Sequence, residues 1–472
     1  TLYCENNAIT TADISQNTEL QMVYLEDNNL TSILLPATTQ SINIYLNDNN
    51  LSAIDFSQTT GLNVLDISHN NLQNLDLSNN ESLSRLYASY NYTLQSLNIL
   101  QNQALYHLDI SYCTIISDLD LNQNTILGHL NVQNCNLTDL NLLYNPSLHT
   151  LNCKNNNLTQ LNLSNNSNLI KLNCYYNDIT NLNLMGNPLL KEVNCANNEL
   201  TLLDVTNNSH LKILDCSTNQ ITDLVIHENT FLQNLSCRDN QLALIDLQSL
   251  TNLKSFNCAG NSFSNLNLNH NLNLIDLDCS ANNLSTLNVT NSPQLEKLVG
   301  CGNTIGWLNL SENLVLEHLN LCANHITSLD LSQNSNLSFI HVGLNKLTSL
   351  DIRNGANFNI YDYNYVSFGN PDLYCIEVDD VTYATNNWIN KDDQASFSEE
   401  CDYLSTSENI DFEISVYPNP IVNYMNITTR SEANYNLINL NGQTIQQGVL
   451  MSGSNPVDLS ALPTGIYLIN IY

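Results

Sequence analysis

Apolar residues recur along this chain with strict local alternation inside a long fixed period. In "LNCKNNNLTQLNLSNNSNL", residues 151–169, Leu151 and Cys153 alternate with Asn152 and Lys154, and Leu161 and Leu163 alternate with Asn162 and Ser164. Such alternation marks strands with one buried face. Each unit therefore predicts one strand with Leu151 and Cys153 inward and a second run forming the opposite wall. With the Cys153 position taken as the core site, the same phase holds Cys4, Leu25, Leu46, Ile67, Ala88, Ile110, Val132, Cys153, Cys174, Cys195, Cys216, Cys237, Cys258, Cys279, Gly300, Leu321 and Val342. These 17 copies are spaced by 21 residues except for two steps of 22. A period in this range means a solenoid whose stacked turns share one continuous core.

Two residues before the core site stands an aliphatic residue or Phe256, and three residues after it stands Asn, except at Cys113 and Cys135. An Asn at that turn can hydrogen-bond backbone groups of neighbouring rungs that have no other partner. Pro146, Pro188 and Pro293 share one phase after the second run, as a recurring turn requires.

The seven successive cysteines from Cys153 to Cys279 read as a column of small buried hydrophobes. Parallel rungs hold equivalent residues about 4.8 Å apart, too far for the Cβ separation of ~3.8 Å in a disulfide. Free thiols are expected there. Cys301 and Cys322 lie one position later, so they should face outward on adjacent rungs, as a surface disulfide or as two free thiols. His318 and His341 can share that face, but the spacing matches no established zinc motif, and no metal is assigned.

Composition narrows the partners. The 472 residues carry 12 Lys and Arg against 45 Asp and Glu, a formal net charge of -33, which argues against nucleic acid and anionic lipid. No apolar run approaches the ~18 residues of a membrane-spanning helix, so no transmembrane segment is expected. The opening "TLYCENNAIT" already sits inside a repeat and carries no signal peptide, so the natural protein is expected to begin further upstream. Catalytic signatures are absent: there is no Gly-rich phosphate loop, HExxH or G-x-S-x-G, and no cofactor or enzymatic activity is expected. The Asp residues of "LDLSNN" recur singly and do not form a dense calcium loop.

The pattern L-x-(L/C)-x-x-(N/C)-x-L resembles the leucine-rich repeat family, in the short form of bacterial internalins, over roughly residues 1–365. That family allows Asn or Cys at the ladder position, which covers Cys113 and Cys135. The resemblance implies a mainly β solenoid of about 17 rungs with a concave strand face. Residues 366–402 resemble the cysteine-paired cap that closes such repeats in secreted proteins of the Bacteroidetes, which implies a Cys375–Cys401 disulfide with Trp388 and Phe397 plugging the core. A polar linker, 403–412, follows. Residues 413–472 resemble the type A sorting domain of the type IX secretion system, a small β-sandwich, through Tyr417, Pro418, Asn419, Pro420, Gly442, Gly465, Ile466 and Tyr467. Members of that family continue into a short basic tail, so the domain is expected to be truncated at Tyr472.

These resemblances imply export to the extracellular space or the outer-membrane surface through the type IX secretion machinery. A protein or glycan ligand is expected on the strand face. One residue before the core site the first rungs place Tyr3, Tyr24, Tyr45, Asp66 and Tyr87, with Glu5, Glu26, Asp27, Asp48, Tyr90 and Tyr112 beside them. Tyrosine supplies rigid area and a hydroxyl, and carboxylates add polarity. Simple strand propensity with stacking between rungs explains the same line without a ligand. Lys154, Lys171, Tyr175, Tyr176 and Arg238 form a sparser mixed zone. Ala259, Gly260, Ala281, Gly302, Ala323 and Gly343 leave the C-terminal face nearly bare. The competing functions are a passive surface spacer and an accessory region of an enzyme whose catalytic domain precedes Thr1.

Overall fold

A computed structural model describes residues 1–116, 118–401, 415–417, 424–429, 432–439, 443–463 and 465–471. The chain divides into two units, Thr1–Cys401 and Asp402–Tyr472.

The first unit is a mainly β solenoid. Its main sheet holds 18 strands, each paired in parallel with that of the next rung. Pairing is in register, with Thr150, Leu151 and Asn152 opposite Lys171, Leu172 and Asn173. Most strands are three residues long because the backbone turns sharply at both ends. At the entrance two successive N–H groups share one carbonyl: Ile170 and Lys171 both donate to His149 O, at 2.8 and 3.1 Å. At the exit the residue two past the core site is left-handed in rung after rung, from Asn6 (φ 56°) through Asp239 (φ 51°) to Leu344 (φ 57°). Gly260 and Gly302 belong to this series, at φ 67° and 70°.

The core sites line the interior. Cys153 to Cys279 are buried and free, as expected. Burial raises their thiol pKa values, to about 12 at Cys174, Cys237 and Cys279. The ladder Asn locks rung to rung. Asn156 Nδ2 donates to Val132 O and Cys153 O at 2.9 Å, and its Oδ1 accepts from Leu137 N at 2.9 Å. Where Cys replaces Asn, the thiol donates instead, Cys135 Sγ to Ile110 O at 3.1 Å.

The second run forms the opposite wall, as expected, though with less regular strand pairing than the first. Leu161 and Leu163 are buried there, yet strand pairing occurs only locally, at Thr11–Asp13 with Ser32–Leu34, Asn74–Asp76 with Ser96–Asn98, and Leu202–Asp204 with Asp223–Val225, and in a four-stranded sheet ending at Ser396–Ser398. A second, unforeseen asparagine column supports this wall. Asn166 Nδ2 donates to Leu142 O and Asn145 O, at 3.2 and 2.9 Å, and Asn187 repeats the arrangement one rung on. Its sequence signal was the Asn before Pro146 and Pro188.

Both sheets continue past residue 365. Tyr365–Val366 closes the main sheet, Asn370 extends the ladder by accepting from Leu347 N, and Cys375–Val378 and Ser396–Ser398 extend the second wall. The longer insertion before Tyr365 shifts the phase, which hides this rung from a search at 21 residues. Cys375 and Cys401 form the expected disulfide. Trp388 is 1% exposed, donates Nε1–H to Ile360 O at 2.9 Å, and stacks on Tyr365 with centroids 4.5 Å apart. Helix Val381–Asn387 carries it, capped by Asp380 accepting from Tyr383 N.

In the second unit two three-stranded antiparallel sheets supply one core of Met425, Ile427, Ala433, Tyr435, Leu450 and Val457. Tyr417 ends strand Ser415–Tyr417 and Tyr467 begins Tyr467–Ile471, directly after Gly465 and Ile466. Pro418, Asn419, Pro420 and Gly442 of the sorting motif, and the 403–412 linker, lie outside the described residues.

Candidate functional site

On the outer face of the main sheet, identical phases stack at the strand spacing of about 4.8 Å. Tyr3, Tyr24 and Tyr45 form one column: ring centroids are 5.0 and 4.9 Å apart, with interplanar angles of 5° and 3°. Tyr87 does not join it. Asp66 interrupts the phase, and Tyr87 packs instead against His107 at 4.7 Å. Burial raises the carboxyl pKa of Asp66.

A second column runs through the left-handed exit positions. Asp48 Oδ1 lies 3.8 Å from His69 Nδ1, His69 stacks on Tyr90 with centroids 4.1 Å apart, and Tyr90 stacks on Tyr112 at 4.3 Å. His69 was not among the residues anticipated from sequence. Its phase, between Asp48 and Tyr90, was the available signal. Tyr90 and Tyr112 sit at φ 57° and 63°. Asn, Asp and Gly tolerate this conformation, whereas a bulky side chain there is an outlier. Asp27, at φ 53°, is one rung before Asp48.

Glu5 and Glu26 occupy the phase between the two columns. Each is half-buried, and each has an Oε2 shielded from solvent with no protein donor. Desolvating a carboxylate oxygen without a donor is costly. The ten anticipated residues therefore resolve into the Tyr3–Tyr45 stack, the Asp27–Tyr112 line, the Glu5 and Glu26 pair, and Tyr87 apart from them.

Farther along the face, a groove of about 520 Å³ crosses the rungs from His107 to Asp215, floored by Asn131, Asn152, Asn173 and Asn194. Burial and the neighbouring His129 hold the His107 pKa below its ordinary value; burial does the same for His129. Cys301 and Cys322, the pair left open by the sequence, form a disulfide between adjacent rungs with Cα atoms 4.6 Å apart. Neither sulfur is then a free metal ligand, and His318 stacks on Phe339 at 4.1 Å. No cluster of three or more metal-ligating side chains occurs among the described residues.

Residues 415–472 match the secretion system C-terminal sorting domain family. Among solved structures, the first unit is similar to the functional domain of InlJ from Listeria monocytogenes, which includes a cysteine ladder. That match has 32% identity and a TM-score of 0.58, and it covers 62% of this chain and 65% of that one. It is also similar to the leucine-rich-repeat protein LIC12759 of Leptospira interrogans, at 20% identity and a TM-score of 0.55, covering 71% of this chain and 86% of that one. No curated protein matches the chain.

Proposed function

We propose that this internalin-like leucine-rich-repeat solenoid, bearing a secretion-system sorting domain, is exported by the type IX system and binds a protein ligand at its N-terminal rungs. Its place of action is the extracellular space or the outer-membrane surface. The sorting-domain match over 415–472 supports export. The observation that carries recognition is the run of stacked rings His69, Tyr90 and Tyr112 on three successive left-handed exits, continuous with Asp48, beside the Tyr3–Tyr45 stack. A bulky residue in this conformation costs roughly 1 to 3 kcal/mol, is held there by the surrounding structure, and is a feature that clusters at ligand sites.

The surface has the ingredients of an interface anchor. Stacked Tyr rings present rigid area with little entropy left to lose, and Glu5, Glu26, Asp27 and Asp48 add acceptors for a basic, amphipathic contact surface. A passive spacer would draw only rung-to-rung stacking from the rings and nothing from the unpaired carboxylate oxygens.

The test is binding of the full chain to arrayed cell-surface proteins, beside a Tyr24→Ala/Tyr45→Ala/Tyr90→Ala variant. Loss of an anchor costs about 2 kcal/mol or more, so the folded variant is expected to bind at least roughly thirtyfold more weakly. Absence of binding by either protein favours the spacer.

A further inference from the structure

The central rungs carry a charge pattern that the tyrosine site does not use. Between His149 and Gly260 the chain has six cations, Lys154, Lys171, Lys191, Lys212, Arg238 and Lys254. All six fall within the strand-side segment of their rungs, from four residues before the core site to two after it. That segment carries only three carboxylates, Glu192, Asp215 and Asp239, so its net charge is +3 in a chain of net charge -33. The remaining phases of the same rungs hold Asp178, Glu199, Asp204, Asp223, Glu228 and Asp246 and no cation. Solubility alone gives no reason to sort charge by face.

Much of this positive charge is uncommitted. Lys171 pairs with Glu192 at 2.9 Å and Arg238 with Asp239 at 2.9 Å. Lys154, Lys191, Lys212 and Lys254 have no carboxylate within 4.0 Å among the described residues, and the last three are exposed. Lys191 and Lys212 occupy the same phase on adjacent rungs, with Lys254 two rungs on. Lys171, Glu192 and Asp215 line the groove floored by Asn173 and Asn194; Lys191 and Lys212 each directly precede a lining residue, Glu192 and Ile213, and Lys254 lies two rungs beyond it. Each of these Asn accepts at Oδ1 from the N–H two residues on, at 3.2 and 3.1 Å, leaving Nδ2 without a protein acceptor. Amide donors and cations therefore run along the face in two parallel phases, one and four residues before the core site.

We infer that the strand face from Cys153 to Cys258 is a docking groove for an anionic, carboxylated polysaccharide lying along the solenoid axis. A sugar chain advances per unit by a length comparable to the ~4.8 Å between rungs, whereas an extended peptide advances ~3.4 Å per residue and drifts out of phase. Protein interfaces depend on buried aromatic and Arg anchors, and on this face only Tyr175, Tyr176 and Arg238 are of that kind. Lysines act as hydrated point charges, suited to carboxylates that stay partly solvated. This groove is separate from the tyrosine rungs and stands whether or not they bind a protein.

The test measures binding of the full chain to polygalacturonate, with neutral dextran and poly-glutamate for comparison, at low and high salt. Polygalacturonate is expected to bind at low salt and weaken as salt rises, with no binding to dextran and weaker binding to poly-glutamate. A Lys191→Gln/Lys212→Gln/Lys254→Gln variant with unchanged thermal unfolding is expected to lose about tenfold or more in affinity. An Asp204→Asn/Asp223→Asn variant on the opposite wall is expected to bind as the parent does. The proposal is overturned by absence of polygalacturonate binding, by an undiminished Lys variant, by a comparable effect of the Asp variant, or by poly-glutamate binding as tightly as the polysaccharide.

Discussion

A thiol suits the core site because the space between stacked rungs there is small and dry. Cys216 has Cys195 and Cys237 as its rung neighbours, and burial holds its pKa well above the ordinary thiol value. These sulfurs are therefore packing atoms, inert at neutral pH. Of the 14 cysteines, ten are free and nine of those are buried, Cys4 being the half-buried one. A thiol reagent on native protein is expected to titrate Cys4 at most; denaturation should expose ten, and denaturation with prior reduction fourteen. Reaction of several core thiols in the native state contradicts this packing. The column, the Asn ladder and the Tyr line were legible because each repeats a residue type at one phase. The left-handed exit was not, because its occupants range from Asp48 through Tyr90 to Leu344 and share a backbone angle, not a chemistry.

At the scale of the element, a rung has almost no stability of its own. Three-residue strands gain their hydrogen bonds only from neighbours, so stability adds along the stack and an uncovered end frays first. The cap answers this with Trp388 and Phe397 over the last rung and the Cys375–Cys401 bridge behind them. In the chain-entropy model a loop of this length is worth roughly 3 to 4 kcal/mol. Cys375→Ala/Cys401→Ala is accordingly expected to lower the urea midpoint, with hydrogen exchange rising first around residues 340–400. Uniform loss of protection along the solenoid contradicts an end-capping role. The sequence revealed the two cysteines and the aromatic plugs, but not that this segment continues both sheets. The insertion before Tyr365 breaks the period while Asn370 preserves the hydrogen bonding, and bonding to Leu347 N leaves no trace in a spacing.

Across the whole molecule the strand face is graded along its length. The first rungs present aromatic stacks and carboxylates, the central rungs cations and amides, and the last rungs Ala259, Gly260, Ala281 and Gly302. The composition concealed this gradient, since a net charge of -33 says nothing about which phases carry the few cations. Only the fold converts phase into face. The central claim is that the N-terminal aromatics are kept for a ligand and not for the solenoid, and Tyr90 and Tyr112 are where the two diverge most sharply. The decisive measurement is the urea unfolding midpoint of a Tyr90→Asn/Tyr112→Asn variant, which places at both exits a residue that tolerates positive φ. Relief of backbone strain is expected to offset the lost ring stacking, worth about 0.5 to 1.5 kcal/mol, and to leave the variant as stable as the parent or more so. A midpoint lowered by the equivalent of about 2 kcal/mol or more makes the stack a structural element and contradicts the account.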